Sequence, residues 1–155
     1  MRVAQVAPVA ESVPPKLYGG TERVVGYLTD ELVRHGHSVT LFASGDSATR
    51  ARLVSPCPEA LRLSSAIRDS LSLHVLMIEQ AAQRLDDFDV IHFHVAPVHF
   101  SVSRRLEGRH ITTLHGRLDL PALSPLFDEF SDIPVVSISN TQRPPLPQAN
   151  WIGTV

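Results

Sequence analysis

Residues 17–25 read Leu-Tyr-Gly-Gly-Thr-Glu-Arg-Val-Val and follow the apolar run Val3-Ala4-Gln5-Val6-Ala7. This order predicts a buried strand, a loop that ends in two glycines, and a helix with Thr21 as its N-cap. Such a helix start offers unpaired backbone N–H groups and the positive end of the helix dipole, which favour a bound phosphate. The alternative is an ordinary loop that needs glycine for its geometry. The spacing is not G-x-G-x-x-G, so the dinucleotide-binding fingerprint is absent.

The rest of the chain alternates strand-like and helix-like segments, which predicts an α/β fold with a mostly parallel sheet and helices on both faces. Strands are expected over residues 1–7, 38–43, 89–94, 110–114 and 133–138, the last being the final strand. Helices are expected over residues 21–35, 73–85, 98–106 and 124–130, with Gly36 ending the first. The predicted buried stripe of the first helix is Val24, Val25, Leu28, Leu32 and Val33. Residues 50–70 are expected to form an irregular connection with a short helix.

Composition limits the class of protein. The 155 residues are 43% hydrophobic and 19% charged, which indicates one globular domain. The formal net charge is −2 and no basic block is present, so a nucleic-acid-binding surface is not expected. Cys57 is the only cysteine, which excludes an internal disulfide and is typical of a reducing compartment. No apolar run approaches the ~20 residues of a membrane span, so we expect a soluble, cytoplasmic protein.

Ligands of open parallel sheets bind beyond the carboxyl ends of the strands. Several predicted loops follow strands in this way and carry glycines or polar side chains. They contain Gly19-Gly20, Gly45-Asp46-Ser47, His94, His115-Gly116-Arg117 and Ser139-Asn140. We expect these loops to converge around one crevice. Asp46 and Ser139 each have an alternative role, since both residue types also shape their own turns.

His115 is the strongest single candidate. It follows Thr112-Thr113-Leu114 and precedes Gly116, so it is expected at a strand tip where the backbone turns. An imidazole at this place can donate a hydrogen bond to a sugar hydroxyl or to a phosphate oxygen, and it titrates near neutrality. The alternative is a histidine that caps the strand through a backbone hydrogen bond.

His92 and His94 are two residues apart on a predicted strand and therefore face the same side. A metal-binding pair is one interpretation. However, no cysteine or carboxylate accompanies them at close spacing, and a third ligand, His99, would have to come from the next segment. We therefore expect no metal site, with His92 packed inside and His94 reaching the crevice.

Six segments together resemble the amino-terminal domain of the GT-B-type glycosyltransferases of family 4, the retaining group 1 enzymes. The first three are Met-Arg-Val-Ala-Gln-Val-Ala-Pro (1–8), Tyr-Gly-Gly-Thr-Glu-Arg-Val-Val (18–25) and Leu-Val-Arg-His-Gly-His-Ser-Val-Thr-Leu-Phe-Ala (32–43). The others are Phe-Asp-Val-Ile-His-Phe-His (88–94), Thr-Thr-Leu-His-Gly-Arg (112–117) and Val-Val-Ser-Ile-Ser-Asn-Thr-Gln-Arg (135–143). The similarity spans essentially the whole chain.

The resemblance implies a two-domain enzyme whose amino-terminal, Rossmann-like half corresponds to residues 1–155. This half would contribute the glycine loop and most of the acceptor site, and the other half would hold a nucleotide-diphosphate sugar. His115 is then the catalytic candidate, in contact with the donor sugar. The residues implied near the donor diphosphate and sugar are Gly19, Gly20, Thr21 and Gly116. The candidates on the acceptor side are Tyr18, Asp46, His94, Arg117 and Ser139.

The chain departs from the family in one large respect. The family's second domain carries an Arg/Lys pair and a Glu-x7-Glu motif, whereas here Glu22 is followed eight residues later by Asp30, and Glu79 by Asp87. The chain also ends in an apolar run, residues 150–155, without a polar tail. We therefore expect the carboxy-terminal, donor-binding domain to lie outside this chain.

The expected reaction is transfer of a glycosyl unit to an acceptor hydroxyl with retention, without a cofactor or a metal. The expected partners are the nucleotide-sugar donor, the hydroxyl acceptor and a carboxy-terminal domain in cis or in trans. The chain alone is expected to be inactive, with an exposed cleft face that favours self-association. One alternative is a non-catalytic half-domain that binds a sugar or a partner chain. A less favoured alternative is a metal-dependent hydrolase that uses His92, His94 and His115.

Overall fold

The computed structural model describes residues 1–62, 64, 69–106 and 108–155. Within these residues the strands are β1 (Arg2–Val6), β2 (Ser38–Phe42), β3 (Arg52–Val54), β4 (Val90–Phe93), β5 (His110–Leu114), β6 (Pro134–Ser137) and β7 (Asn150–Thr154). The α-helices are α1 (Gly20–Arg34), α2 (Ser70–Ala82), α3 (Phe100–Ser103) and α4 (Leu123–Glu129), with 3₁₀ turns at Leu85–Asp87 and Asn140–Gln142. The strands form one parallel sheet in the order β3-β2-β1-β4-β5-β6-β7. The predicted Rossmann-like α/β fold is confirmed.

Helices α1 and α2 pack on opposite faces of this sheet. Side chains alternate between the two faces along a strand. Val6 pairs in register with Phe42, and both belong to the same buried cluster as Met77 of α2. Leu41 points the other way and is buried with Val25 of α1. The sheet is therefore covered on both faces, as the sequence pattern predicted. No helix in the described part of the chain has both the length and the apolar character needed to cross a membrane.

Two strands were missed by the sequence analysis, and both lie at the edges of the sheet. Strand β3 has only three residues, none of them fully buried, within the segment predicted to be irregular. Strand β7 occupies the apolar run at the end of the chain and pairs in parallel with β6. The prediction that residues 133–138 form the final strand is therefore wrong. Edge strands bury less side-chain surface than central ones, and the short β3 accordingly has a weak apolar pattern.

The N-cap of helix α1 lies two residues earlier than predicted. It is Gly19, not Thr21, and no side chain makes a capping hydrogen bond. A Cβ atom on Gly19 would lie 2.8 Å from Cβ of Pro15, so the close approach of the loop requires glycine at this position. The end of the helix is as predicted: Gly36 has φ 83° and donates its N–H to the carbonyl of Val33.

The buried face of α1 also differs from the predicted stripe. The buried residues are Glu22, Val25, Gly26 and Thr29. Val24, predicted to be buried, is 46% exposed. Gly26 lies against the loop before the helix, since a Cβ atom there would be 3.4 Å from Cγ1 of Val13. A small residue at this point lets the helix approach that loop closely.

Candidate active site

The strand ends meet at one edge of the sheet, where three adjoining cavities surround His115. A cavity of about 520 Å³ lies over the start of α1 and is lined by Tyr18, Gly19, Gly20, Thr21 and Arg62, among others. A second, of about 320 Å³, includes Thr21, His94, Gly116 and the apolar Leu123 and Phe127. A third, of about 480 Å³, includes Gly116, Arg117 and Ser139. We call the three cavities together the cleft. Every predicted site residue except Asp46 lines it.

Three histidines, a glutamine and a threonine form a hydrogen-bonded row beside the cleft. Gln5 and His92 are paired in sheet register and share a face. Nδ1 of His94 lies 2.8 Å from Nε2 of His115, and Nε2 of His94 lies 2.8 Å from Oε1 of Gln5. The Gln5 amide nitrogen lies 3.5 Å from Nδ1 of His92, whose Nε2 is 2.8 Å from Oγ1 of Thr113. We call these five residues the histidine row.

Burial makes the rings of the histidine row neutral. It lowers the pKa of His92 to about 4, with the nearby His115 contributing in the same direction. The pKa of His94 is lowered well below its ordinary value, again by burial first and by neighbouring histidines second. Burial also lowers the pKa of His115. These rings therefore carry no positive charge at pH 7, and of the three only His115 has a ring nitrogen left for a ligand.

The start of α1 opens into the cleft. The first N–H groups of a helix have no intrahelical acceptor. No atom lies within 4 Å of a Cβ built on Gly20, so a ligand can approach the backbone there. Glu22, in the same turn, points inwards and is 5% exposed, and burial raises the pKa of its carboxyl group. This helix start thus presents backbone donors to the cleft, and Glu22, although mostly buried, also borders the same cavity.

Two residues of the site were missed by the sequence analysis. Arg62 lines the cavity above α1, where its Nε lies 2.9 Å from Oε1 of the buried Glu11 and its guanidinium lies 5.6 Å from the ring centroid of Tyr18. It belongs to a segment without any motif, so no signal was available. Gln5 did carry a signal. A lone polar residue inside an apolar strand must find a hydrogen-bond partner in the core.

The turn that carries His115 is braced by a third unpredicted residue, Gln142. Its Nε2 donates to the carbonyl oxygens of Leu114 and Gly116, at 3.0 and 2.9 Å. Its Oε1 accepts the N–H of Ile138 at 2.9 Å. One side chain therefore ties the end of β5 to the end of β6 and holds the backbone on both sides of His115.

The remaining predicted residues differ in their surroundings. Arg117 is exposed and pairs with Asp119, with Nη2 to Oδ2 at 2.8 Å. Ser139 precedes the 3₁₀ turn at Asn140–Gln142, and its hydroxyl lies 3.0 Å from that of Thr141. Both residues border the third cavity and are open to a ligand there.

Asp46 lies apart from the cleft. Its Oδ1 accepts hydrogen bonds from Oγ of Ser44 at 2.7 Å and from the N–H of Ala60 at 3.0 Å. Lys16 lies 3.5 Å from its other oxygen. These contacts fit the alternative role, in which the carboxylate shapes the loop after β2.

The described residues contain no group of three or more His, Cys, Asp or Glu side chains that could hold a metal ion. Both ring nitrogens of His94 are engaged within the histidine row. His99 stacks on Phe93 with ring centroids 4.0 Å apart, and its nitrogens bond the hydroxyls of Ser103 and Thr112.

We expect the purified protein to carry no stoichiometric zinc. Both ring nitrogens of His92 and His94 are engaged in hydrogen bonds, which leaves too few ligands for a zinc ion, so a chelator should leave the melting temperature unchanged. Elemental analysis, together with thermal melts with and without the chelator, measures both quantities. About one tightly bound metal ion per chain would contradict this prediction and would support the hydrolase alternative.

Comparisons with known proteins identify the family and the fold. The family Glycosyltransferase Family 4 matches residues 18–144. Among solved structures, AviGT4, a glycosyltransferase involved in Avilamycin A biosynthesis, aligns with TM-score 0.57 and 24% identity over 95% of this chain and 39% of its own. The C-terminal domain of the coenzyme A biosynthesis bifunctional protein CoaBC aligns with TM-score 0.50 and 12% identity, over 91% of this chain and 78% of its own.

At these identities the two solved structures support the fold alone, and this chain spans about two fifths of the length of AviGT4. No curated protein matches the sequence. The family match is stronger evidence, because it runs from the glycine loop through His115 to the end of the Asn140–Gln142 turn. The chain belongs to glycosyltransferase family 4.

Proposed function

We propose that this chain is the amino-terminal, acceptor-side half of a retaining GT-B glycosyltransferase that uses a nucleotide-diphosphate sugar. The enzyme would pass the glycosyl unit to an acceptor hydroxyl. The observation that carries the proposal is the cavity of about 520 Å³ in which the open start of α1 faces His115. Such a cavity offers donors for an anion at one end and a neutral imidazole at the other.

In this proposal the donor diphosphate lies against Gly19, Gly20 and Thr21, with Gly116 close by. Negative charge develops on the diphosphate as its bond to the sugar breaks. The fixed N–H groups and the dipole at the start of α1 stabilise that charge. The backbone at Gly20 is exposed, which supports a close approach of this kind. No metal or other cofactor is needed for this step.

His115 would contact the donor sugar, since it borders all three cavities. Tyr18, His94, Arg117 and Ser139 are the proposed contacts on the acceptor side. A second domain in cis or in trans would supply the cations for the diphosphate. Both arginines that line the cleft in the described residues, Arg62 and Arg117, are ion-paired, which supports the need for such a domain. We place the enzyme in the cytoplasm, because its single cysteine, Cys57, is a free and buried thiol.

The substitution Gly20→Val tests the phosphate-binding loop. A Cβ at Gly20 meets no atom within 4 Å, so the fold should tolerate valine. The added methyl groups would occupy the space in which the diphosphate approaches. We expect turnover of UDP- or GDP-sugars by the two-domain enzyme to fall at least about tenfold, or about 1.4 kcal/mol of transition-state stabilisation. The melting temperature should change little.

Gly19→Ala is the matched control. Its Cβ would lie 2.8 Å from that of Pro15, so this variant should lose about 1–3 kcal/mol of stability through overpacking. Unchanged turnover in Gly20→Val would end the phosphate-loop assignment. A loss of melting temperature in Gly20→Val as large as in Gly19→Ala would instead favour a loop that needs glycine for geometry. A chain that binds a sugar but never supports transfer would favour the non-catalytic alternative.

A further inference from the structure

The hydrogen bonds of the histidine row determine which ring nitrogens carry protons, because each bond needs one donor and one acceptor. A neutral imidazole carries one N–H and one lone pair, and an amide accepts only at its oxygen. Gln5 presents Oε1 to Nε2 of His94 at 2.8 Å. His94 therefore carries its proton on Nε2, and its Nδ1 is left as an acceptor.

The hydrogen bond between His94 and His115 then determines which nitrogen of His115 is protonated. Nε2 of His115 lies 2.8 Å from the accepting Nδ1 of His94, so it must be the donor. Because burial lowers its pKa, the ring holds only this one proton, and its Nδ1 keeps a lone pair. That nitrogen has no partner among the described residues and, unlike the ring nitrogens of His110, it is not sealed from solvent.

We propose that Gln5 is a positioning residue which, through His94, holds His115 in the Nε2–H tautomer and so presents Nδ1 to the cleft as an acceptor for a ligand hydroxyl. His115 in this form has no proton to donate to a phosphate oxygen. The sequence left two possible ligand groups for His115, a sugar hydroxyl and a phosphate oxygen. This tautomer favours the hydroxyl. The identity of that hydroxyl as part of a sugar rests on the proposed function, whereas the tautomer does not.

The buried amide of Gln5 is the element that determines these proton positions. Gln5 is 1% exposed, so water does not compete for its amide. Its nitrogen faces Nδ1 of His92, which leaves the Nε2–H of His92 to donate to Thr113 at 2.8 Å. Turning the amide by 180° would reverse every bond in the row and would move the proton of His115 to Nδ1.

The test is to read the protonation of both His115 nitrogens in the full 155-residue chain at pH 7. Long-range ¹H–¹⁵N correlation NMR distinguishes a protonated ring nitrogen from one that carries a lone pair, and a His115→Gln spectrum assigns the signals. We expect a protonated Nε2 and an unprotonated Nδ1. A proton on Nδ1, or on both nitrogens, would overturn the proposal without any further variant.

Gln5→Met removes the acceptor of His94 at nearly constant side-chain length. His94 then favours a proton on Nδ1, because an unpartnered lone pair costs less in the core than an unpartnered N–H. The Nδ1–H tautomer of His115 should become the major form. Thr113→Val is the matched control, since it removes a hydrogen bond at the far end of the row and should leave His115 unchanged. No response to Gln5→Met, or an equal response to both variants, would contradict the role of Gln5.

Inorganic pyrophosphate serves as the phosphate probe. Because Nδ1 of His115 has no proton to donate, we expect its ¹⁵N shift to stay that of an unprotonated nitrogen when pyrophosphate is added. Protonation of Nδ1 by the probe would overturn the assignment of a hydroxyl ligand. The two proposals can fail separately. If His115 has the Nε2–H tautomer but the enzyme transfers no sugar, the proposed function is contradicted and the tautomer assignment is not.

Discussion

Acidification from pH 6.5 to about 4.5 is expected to remove about 4 kcal/mol from the free energy of unfolding through two buried histidines, His92 and His99, with a further loss through the buried His94. Burial lowers the pKa of His92 to about 4 and that of His99 to about 3, and it lowers the pKa of His94 strongly as well. A domain of this size has a total stability of about 5–15 kcal/mol. Much of the chain should therefore unfold over this interval.

The sign follows from proton binding. Well above pH 6.5 these rings are neutral in both the folded and the unfolded chain, so their contribution to stability is constant there. Below pH 6.5 these histidines bind protons in the unfolded chain but stay neutral in the folded chain. The free energy of unfolding therefore falls until the pH reaches the pKa of each ring in the folded chain. Each histidine contributes a slope of at most about 1.4 kcal/mol per pH unit, and His92 and His99 together at most about 3 kcal/mol per pH unit.

Urea titrations followed by circular dichroism at pH 7, 6, 5.5, 5 and 4.5 measure the free energy of unfolding. His99→Gln removes one titrating ring and should reduce the slope by about 1.4 kcal/mol per pH unit. His35→Gln is the control, because the ring of His35 lies at the surface beside Glu31. A stability that stays flat between pH 6.5 and 5 would contradict the buried, neutral histidines described above.

The second large effect concerns the charges of the cleft. Two arginines line it in the described residues, and both are ion-paired: Arg62 with Glu11 and Arg117 with Asp119. The rings of His94 and His115 are neutral at pH 7 because burial lowers their pKa. The start of α1 supplies dipoles, but phosphate groups are held strongly by charge-assisted hydrogen bonds. We therefore expect the chain alone to bind a nucleotide-sugar weakly and not to turn it over.

The fold could be predicted from the sequence where strands are buried on both sides. Residues 3–6 and 38–43 are mostly apolar because helices cover both faces of the central sheet. Strand β3 was not predicted because it is short and half-exposed. The N-cap at Gly19 was missed because its cause is a contact with Pro15, which no local pattern contains.

The site was predictable to a similar degree and for a related reason. In a parallel sheet all carboxyl strand ends lie at one edge, so strand assignments alone brought His94, His115 and the glycine loop together. Arg62 could not be found in this way, because it enters the cleft from a segment without a motif. The role of Gln5 depends on which ring nitrogen faces which amide atom, and a sequence does not contain that information.

The central claim is that this chain forms one half of a glycosyltransferase active site. Its most direct test is an assay of the isolated chain against a panel of UDP- and GDP-sugars with a candidate acceptor, before and after the carboxy-terminal half of the enzyme is added in trans. Release of the nucleotide diphosphate and formation of the glycosylated acceptor are both measured. We predict no transfer above background by the chain alone and a gain of at least about a hundredfold when the second half is present. Efficient transfer by the isolated chain would contradict the claim.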